Sequence, residues 1–186
     1  MWGYHPLSYF HGIEMITLVS DPLPTSLLGE TILLAEDNDD HAVLIKRAFM
    51  QARVLNPVQI TKDGVEAIAY LNGDGKYANR KEFPVPGLLL LDLKMPNKDG
   101  FEVLEWIRGQ RALRDLRIVV LTTSDHIFDV QRAYALGASS FLTKPVDLRD
   151  FIQLGPAIKG FWVWTPDPPG GPRATEAPLA TLDERR

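Results

Sequence analysis

Short, nearly unbroken apolar runs alternate along the middle of the chain with longer stretches in which apolar residues recur every three or four positions. The runs predict five strands: Thr31 to Glu36, Val58 to Thr61, Leu88 to Leu91, Arg117 to Thr122 and Ser140 to Thr143. Strands that are apolar at successive positions are buried on both faces, as in a parallel sheet covered by helices. Four helical patterns lie between them. In the first, Ile45, Ala48, Phe49 and Ala52 fall at i, i+3, i+4 and i+7, with Asp39 or Asp40 as the expected cap. A short helix follows Asp63-Gly64 and ends near Leu71; a third carries Phe101, Leu104 and Ile107; a fourth carries Ile127, Val130, Ala133 and Tyr134 and stops at Gly137. This is the pattern of repeated strand-helix units in an α/β fold.

Polar residues gather at the expected strand ends. Glu36 and Asp37 close the first run and Asp92 closes the third, so the two acidic clusters meet if those strands are neighbours. Two carboxylates about 4 Å apart repel by about 4 kcal/mol at an effective dielectric near 20, and a third adds to this, so the cluster calls for a cation. Magnesium suits it, because it takes oxygen ligands and is held by one or two carboxylates together with phosphate oxygens. Zinc does not: the chain has no cysteine, and its four histidines (His5, His11, His41, His126) show no ligand spacing. His41 and His126 read as surface residues at helix starts. Thr122 after the fourth strand and Lys144 after the fifth add a hydroxyl donor and an ammonium, a receptacle for a phosphoryl group.

Composition narrows the classes further. The 186 residues with a formal charge of −4 fit one globular domain with tails and offer no basic stripe for direct nucleic-acid binding. No apolar stretch approaches the eighteen or so residues of a membrane span, and the N-terminus lacks the form of a signal peptide, so the expected location is cytoplasmic. Residues 1–29 read as an extension, 30–164 as the domain, and 165–186, rich in Pro, Gly and Ala, as a disordered tail.

The residues resemble the receiver domain of two-component response regulators. The likeness runs from about Thr31 to Asp150 and matches in order Glu36-Asp37, Asp92 with MPNKDG after it, Thr122, Gly137-Ala138, Phe141 and Lys144-Pro145. It implies a flavodoxin-like five-stranded parallel sheet in the order 2-1-3-4-5. It also implies phosphorylation of Asp92 by a sensor histidine kinase, and Mg2+ held by Glu36, Asp37, Asp92 and the backbone carbonyl of Lys94. Lys144 would pair with the phosphoryl group and Thr122 would donate a hydrogen bond to it. Thr122 and Phe141 would form the switch, and Lys144-Pro145 is a candidate cis peptide. Within the family, DNDDHAVLIKRAF, TKDGVEAIAYL, VLTTSD and KPVDLRDFIQL followed by FWVW look like the standalone receivers that serve bacterial phytochromes. That implies a bacteriophytochrome partner and a homodimer through helix five and the aromatic segment 161–164. With about forty residues after the fifth strand, output is expected through a partner protein.

Two features depart from the pattern. Gly155-Pro156 falls inside the expected last helix, where proline costs about 3 kcal/mol, so a break or kink is expected there. Residues 72–87 exceed a minimal receiver. A competing class is a magnesium-dependent small-molecule phosphatase or phosphotransferase with an aspartyl-phosphate intermediate. It is disfavoured because Lys94 stands where such enzymes place a second acid, two residues after the nucleophile.

Overall fold

The computed structural model describes residues 30–164, with side chains given up to residue 160. The extension 1–29, the tail 165–186 and the side chains of the 161–164 segment lie outside the described residues.

Five strands, β1 (Ile32–Ala35), β2 (Val58–Thr61), β3 (Leu88–Leu91), β4 (Arg117–Thr122) and β5 (Ser140–Thr143), form one parallel sheet in the order β2-β1-β3-β4-β5. Alternation within each run divides its side chains between two cores. Leu89 and Leu91 pack on one face with Tyr70 of α2 (Gly64–Asn72) and with Phe101, Leu104 and Ile107 of α3 (Gly100–Arg108). Leu88 and Leu90 pack on the other with Ile45 and Phe49 of α1 (Asp39–Gln51) and with Phe151, Leu154 and Ile158 near the C-terminal end. All four leucines are fully buried, each contributing about 1.5–3 kcal/mol. A run with no polar position thus satisfies both faces of a central strand. Helices change face between β1 and β3, the switch point where such sheets place their sites. No helix among the described residues is long and apolar enough to cross a membrane.

Three details differ from expectation. Asn38, not Asp39 or Asp40, caps α1, its side chain accepting from the Asp40 and His41 amides. The two aspartates instead occupy the first turn, where they favour the positive helix end. In α4 (Ile127–Ala135) only Ala133 is buried; Ile127 and Tyr134 are 55% and 46% exposed, so the apolar spacing there is largely a surface. Lys144-Pro145 is trans, the lower-energy isomer even before proline. Residues 72–87 form a closed loop: Tyr70, Tyr77 and Phe83 pack ring to ring, and the Arg80 guanidinium donates to the carbonyls of Tyr70, Leu71 and Phe83.

The Gly155-Pro156 problem is solved by starting the helix late. Leu148–Gln153 forms a 3-10 turn with Asp147 accepting from Arg149 N, and α5 (Leu154–Trp164) begins immediately after. Pro156 therefore sits in a first turn, where its missing N–H breaks no intrahelical bond. Gly155 lets α5 approach α1 closely, since a Cβ there would collide with the Ala48 carbonyl oxygen and the Ala52 Cβ. Lys159 Nζ reaches across to the Ala52 carbonyl at 3.0 Å and satisfies the end of α1.

A Gly155→Ala substitution is therefore expected to lower stability by about 1–3 kcal/mol, the range for overpacking a tight contact. Urea denaturation with an unchanged slope and an earlier midpoint would record it.

Candidate functional site

β1 and β3 are paired in register, Ala35 against Leu91, so the residues that follow each, Glu36 and Asp92, emerge side by side. The Glu36 amide donates to Thr61 O and the Asp92 amide to Ala35 O, which extends the ladder just past the strands. Glu36 is 1% exposed and Asp92 5%; Asp37 is exposed beside them. One oxygen from each of Glu36, Asp37 and Asp92 lies within 4.8 Å of the others. At that separation each ionised pair repels by about 3.5 kcal/mol at an effective dielectric near 20.

Lys144 enters this cluster from β5. Thr143 pairs with Thr122 across the sheet edge, the Lys144 amide donates to Thr122 O at 2.7 Å, and the side chain then runs inward, 3% exposed. Its Nζ lies 2.5 Å from Asp92 Oδ2 and 2.7 Å from Glu36 Oε2. The contact with Asp92 is a directed hydrogen bond, whereas Glu36 Oε2 receives none and is held by charge alone. Three carboxylates against one ammonium leave a net charge of −2 when all four are ionised. A divalent cation would cancel it, and an all-oxygen donor set with a buried, under-bonded carboxylate oxygen suits a hard ion such as Mg2+ or Mn2+.

The loop after β3 holds Asp92 in place. The Lys94 amide donates to Asp92 Oδ1 at 3.2 Å, while the Lys94 side chain is exposed. Asn97 takes a left-handed conformation (φ 62°) and its side chain donates to Asp63 at 2.6 Å. Gly100 packs against the Asp92 carbonyl oxygen and Leu93 Cα at a distance that no Cβ tolerates. The turn is thus pressed directly onto the backbone of Asp92.

Thr122 is fully buried at the end of β4 and its hydroxyl accepts from the Ser124 amide. Phe141 is partly buried against the core on the α2–α3 side. Of the residues marked in the sequence, Glu36, Asp37, Asp92 and Lys144 converge directly; Thr122 and Lys94 join through the backbone, and Phe141 lies on β5 opposite Val120, three residues before Lys144. Two further residues adjoin the site. His41, expected on the surface, places Nδ1 3.2 Å from Glu36 Oε1. Ser124 is buried and hydrogen-bonded to Asp129 at 2.5 Å.

Comparison with known proteins bears on this arrangement. The model of the response regulator receiver domain matches residues 32–154. The chain belongs to that family. A structure of the phosphorylated cyanobacterial phytochrome response regulator RcpA is 38% identical, with a TM-score of 0.68 over 76% of this chain and 99% of that one. Response regulator Rcp1 of Synechocystis sp. is 37% identical over 73% of this chain and 90% of its own length. Its Mn2+-bound structure superposes with a TM-score of 0.66. FilR2 of Methanothrix harundinacea, named a probable methanogenesis regulatory protein, is 38% identical over 74% of this chain and 86% of its own length. The protein is therefore a response regulator receiver whose similarity includes phytochrome response regulators, and small-molecule phosphatase chemistry has no support.

Adding Mg2+ or Mn2+ is expected to raise the melting temperature of the unphosphorylated receiver. At ten times the dissociation constant the stabilisation is about 1.4 kcal/mol, a shift of several degrees. Asp37→Asn should remove most of that shift while leaving the fold intact, as read by differential scanning calorimetry with and without EDTA.

Proposed function

We propose that this receiver accepts a phosphoryl group on Asp92 from a sensor histidine kinase of the bacteriophytochrome type and signals by protein contact or onward phosphorelay in the cytoplasm. Glu36, Asp37, Asp92 and the carbonyl of Lys94 would hold Mg2+. Bound there, the ion would offset the charge of the incoming phosphoryl oxygens and help align them. The reading rests above all on the approach of one buried ammonium to both Asp92 and Glu36, with Asp37 beside them.

The chain's own groups have defined tasks in such a transfer. Asp92 presents a carboxylate oxygen to phosphorus; the new O–P bond forms as the donor's N–P bond breaks, and its electron pair stays on the imidazole nitrogen. Lys144 meets the added negative charge, and because its stem is packed and its head already positioned, little reorganisation is needed. The Thr122 hydroxyl, bonded only weakly to the Ser124 amide at 3.4 Å, is free to turn toward the phosphoryl group. Space vacated by Thr122 would then admit Phe141, passing the change to α4 and β5.

Similarity to RcpA and Rcp1 supports a phytochrome kinase as donor, while FilR2, at similar identity, is named a probable methanogenesis regulatory protein. A homodimer through α5 and the segment 161–164 forms part of the same proposal. Exposed Ile127, Phe128 and Tyr134 on α4 give a second apolar surface suited to a target.

Incubation with acetyl phosphate and Mg2+ should add the mass of one phosphoryl group, and Asp92→Asn should abolish it. Lys144→Ala should slow the addition by about a hundredfold or more, the usual cost of removing a fixed charge-stabilising donor. Failure of the wild-type protein to form any adduct, or turnover of small phosphate esters, would overturn the reading. In a second arm, Phe141→Ala should form the adduct normally yet lose the phosphorylation-dependent change in partner affinity or oligomeric state; a full change would refute the Phe141 switch.

A further inference from the structure

We infer that His41 is a positioning residue of the metal site, acting through Glu36; this rests on the proposed function and assigns a role within it. His41 lies in the first turn of α1, five residues beyond Glu36, and its Nδ1 is 3.2 Å from Glu36 Oε1. An ionised carboxylate only accepts, so Nδ1 carries the proton and donates. The last torsion of a glutamate is broad, and a carboxylate is easily rotated about it. For Glu36 it is narrowed from both sides, by His41 on Oε1 and by the Lys144 charge on Oε2.

The imidazole is itself held. Its ring lies 5.4 Å from the ring of Phe151 at an interplanar angle of 30°, and Phe151 is 2% exposed in the core beneath α1 and α5. His41 is only 25% exposed, whereas its helical neighbours Asp39 and Asp40 point into solvent. The Asn38 cap accepts from the His41 backbone amide, leaving the side chain free for Glu36. A chain of fixed contacts therefore runs from the core through Phe151 and His41 to a buried carboxylate whose second oxygen lacks a hydrogen bond.

The role is that of an outer partner orienting a metal-binding carboxylate, whose loss in other sites weakens metal binding about 10- to 100-fold. A purely packing role predicts the same burial but no dependence on the N–H donor. Two substitutions separate these. His41→Leu keeps apolar bulk against Phe151 and removes the donor; His41→Asn places an amide N–H near the Nδ1 position.

The test is calorimetric titration of the full-length unphosphorylated protein with Mn2+ alone, alongside melting curves in EDTA. His41→Leu is expected to weaken Mn2+ binding about tenfold or more, and His41→Asn to recover most of the loss. A dissociation constant unchanged in His41→Leu would overturn the role of His41 while leaving the metal site standing. Weakening that His41→Asn does not rescue, together with a fall in the EDTA melting temperature, would assign His41 to packing and also overturn it. A wild-type protein that binds no Mn2+ would bring down the metal reading itself, and His41 with it.

Discussion

An imbalance of charge at one end of a parallel sheet governs this molecule. Glu36, Asp37 and Asp92 crowd together because β1 and β3 are neighbours in register, and a single ammonium answers them. Burial makes the imbalance consequential. In solvent three carboxylates would turn apart, but Glu36 and Asp92 are fixed by strands whose side chains are committed to two cores. The packing that stabilises the fold thereby maintains the acid cluster in a state that a divalent ion relieves. Removing one partner of such a buried arrangement costs more than the pair contributes, because a charge is left without compensation.

The site is tied to the two helical layers by different means. On one face, α5 lies close against α1 at Gly155, and Phe151 from the preceding turn carries the contact on to His41 and Glu36. On the other, Gly100 and the Asp99–Glu102 capping box press α3 against the turn after Asp92. Both devices act on backbone or on packed rings. They fix where the carboxylates sit without occupying their oxygens, apart from single donors from Lys94 to Asp92 and from His41 to Glu36.

The strands and the acid cluster were legible in the sequence because both follow from local pattern. A strand buried on two faces must be apolar throughout, and carboxylates at the ends of such runs must share the carboxyl edge. β2 through β5 occupy their expected residues, and β1 is shorter by one residue at each end. What escaped was tertiary. His41 reaches Glu36 across a strand-to-helix corner that periodicity does not describe. Asn38 outcompetes two neighbouring aspartates as cap because the helix already starts at Asp39, earlier than a cap at Asp39 or Asp40 would allow. Pro156 loses its disruptive effect once a 3-10 turn absorbs the residues before it. The 72–87 loop closes on Tyr70 and Arg80, whose partners are carbonyls and rings rather than any motif.

α4 shows how an apolar pattern can mislead and still inform. Its spacing promised a core helix, yet one alanine alone is buried, and polar contacts with α3 include Arg132, which stacks on Phe101 and pairs with Glu105, and Arg108, which donates to the Ala135 carbonyl. A helix held by so little buried surface is among the first elements to shift when its neighbours move. Its N-terminal turn is tethered at Asp129 to Ser124, whose amide in turn bonds the Thr122 hydroxyl. Thr122 ends β4, the strand beside β3. Any ligand that draws Thr122 toward Asp92 therefore competes with the Ser124 bond, and the first structure to feel the loss is the loosely packed helix bearing Ile127 and Phe128. Weak packing of α4 and exposure of its apolar side chains have a common origin: a helix that buries one alanine leaves Ile127, Phe128 and Tyr134 at the surface.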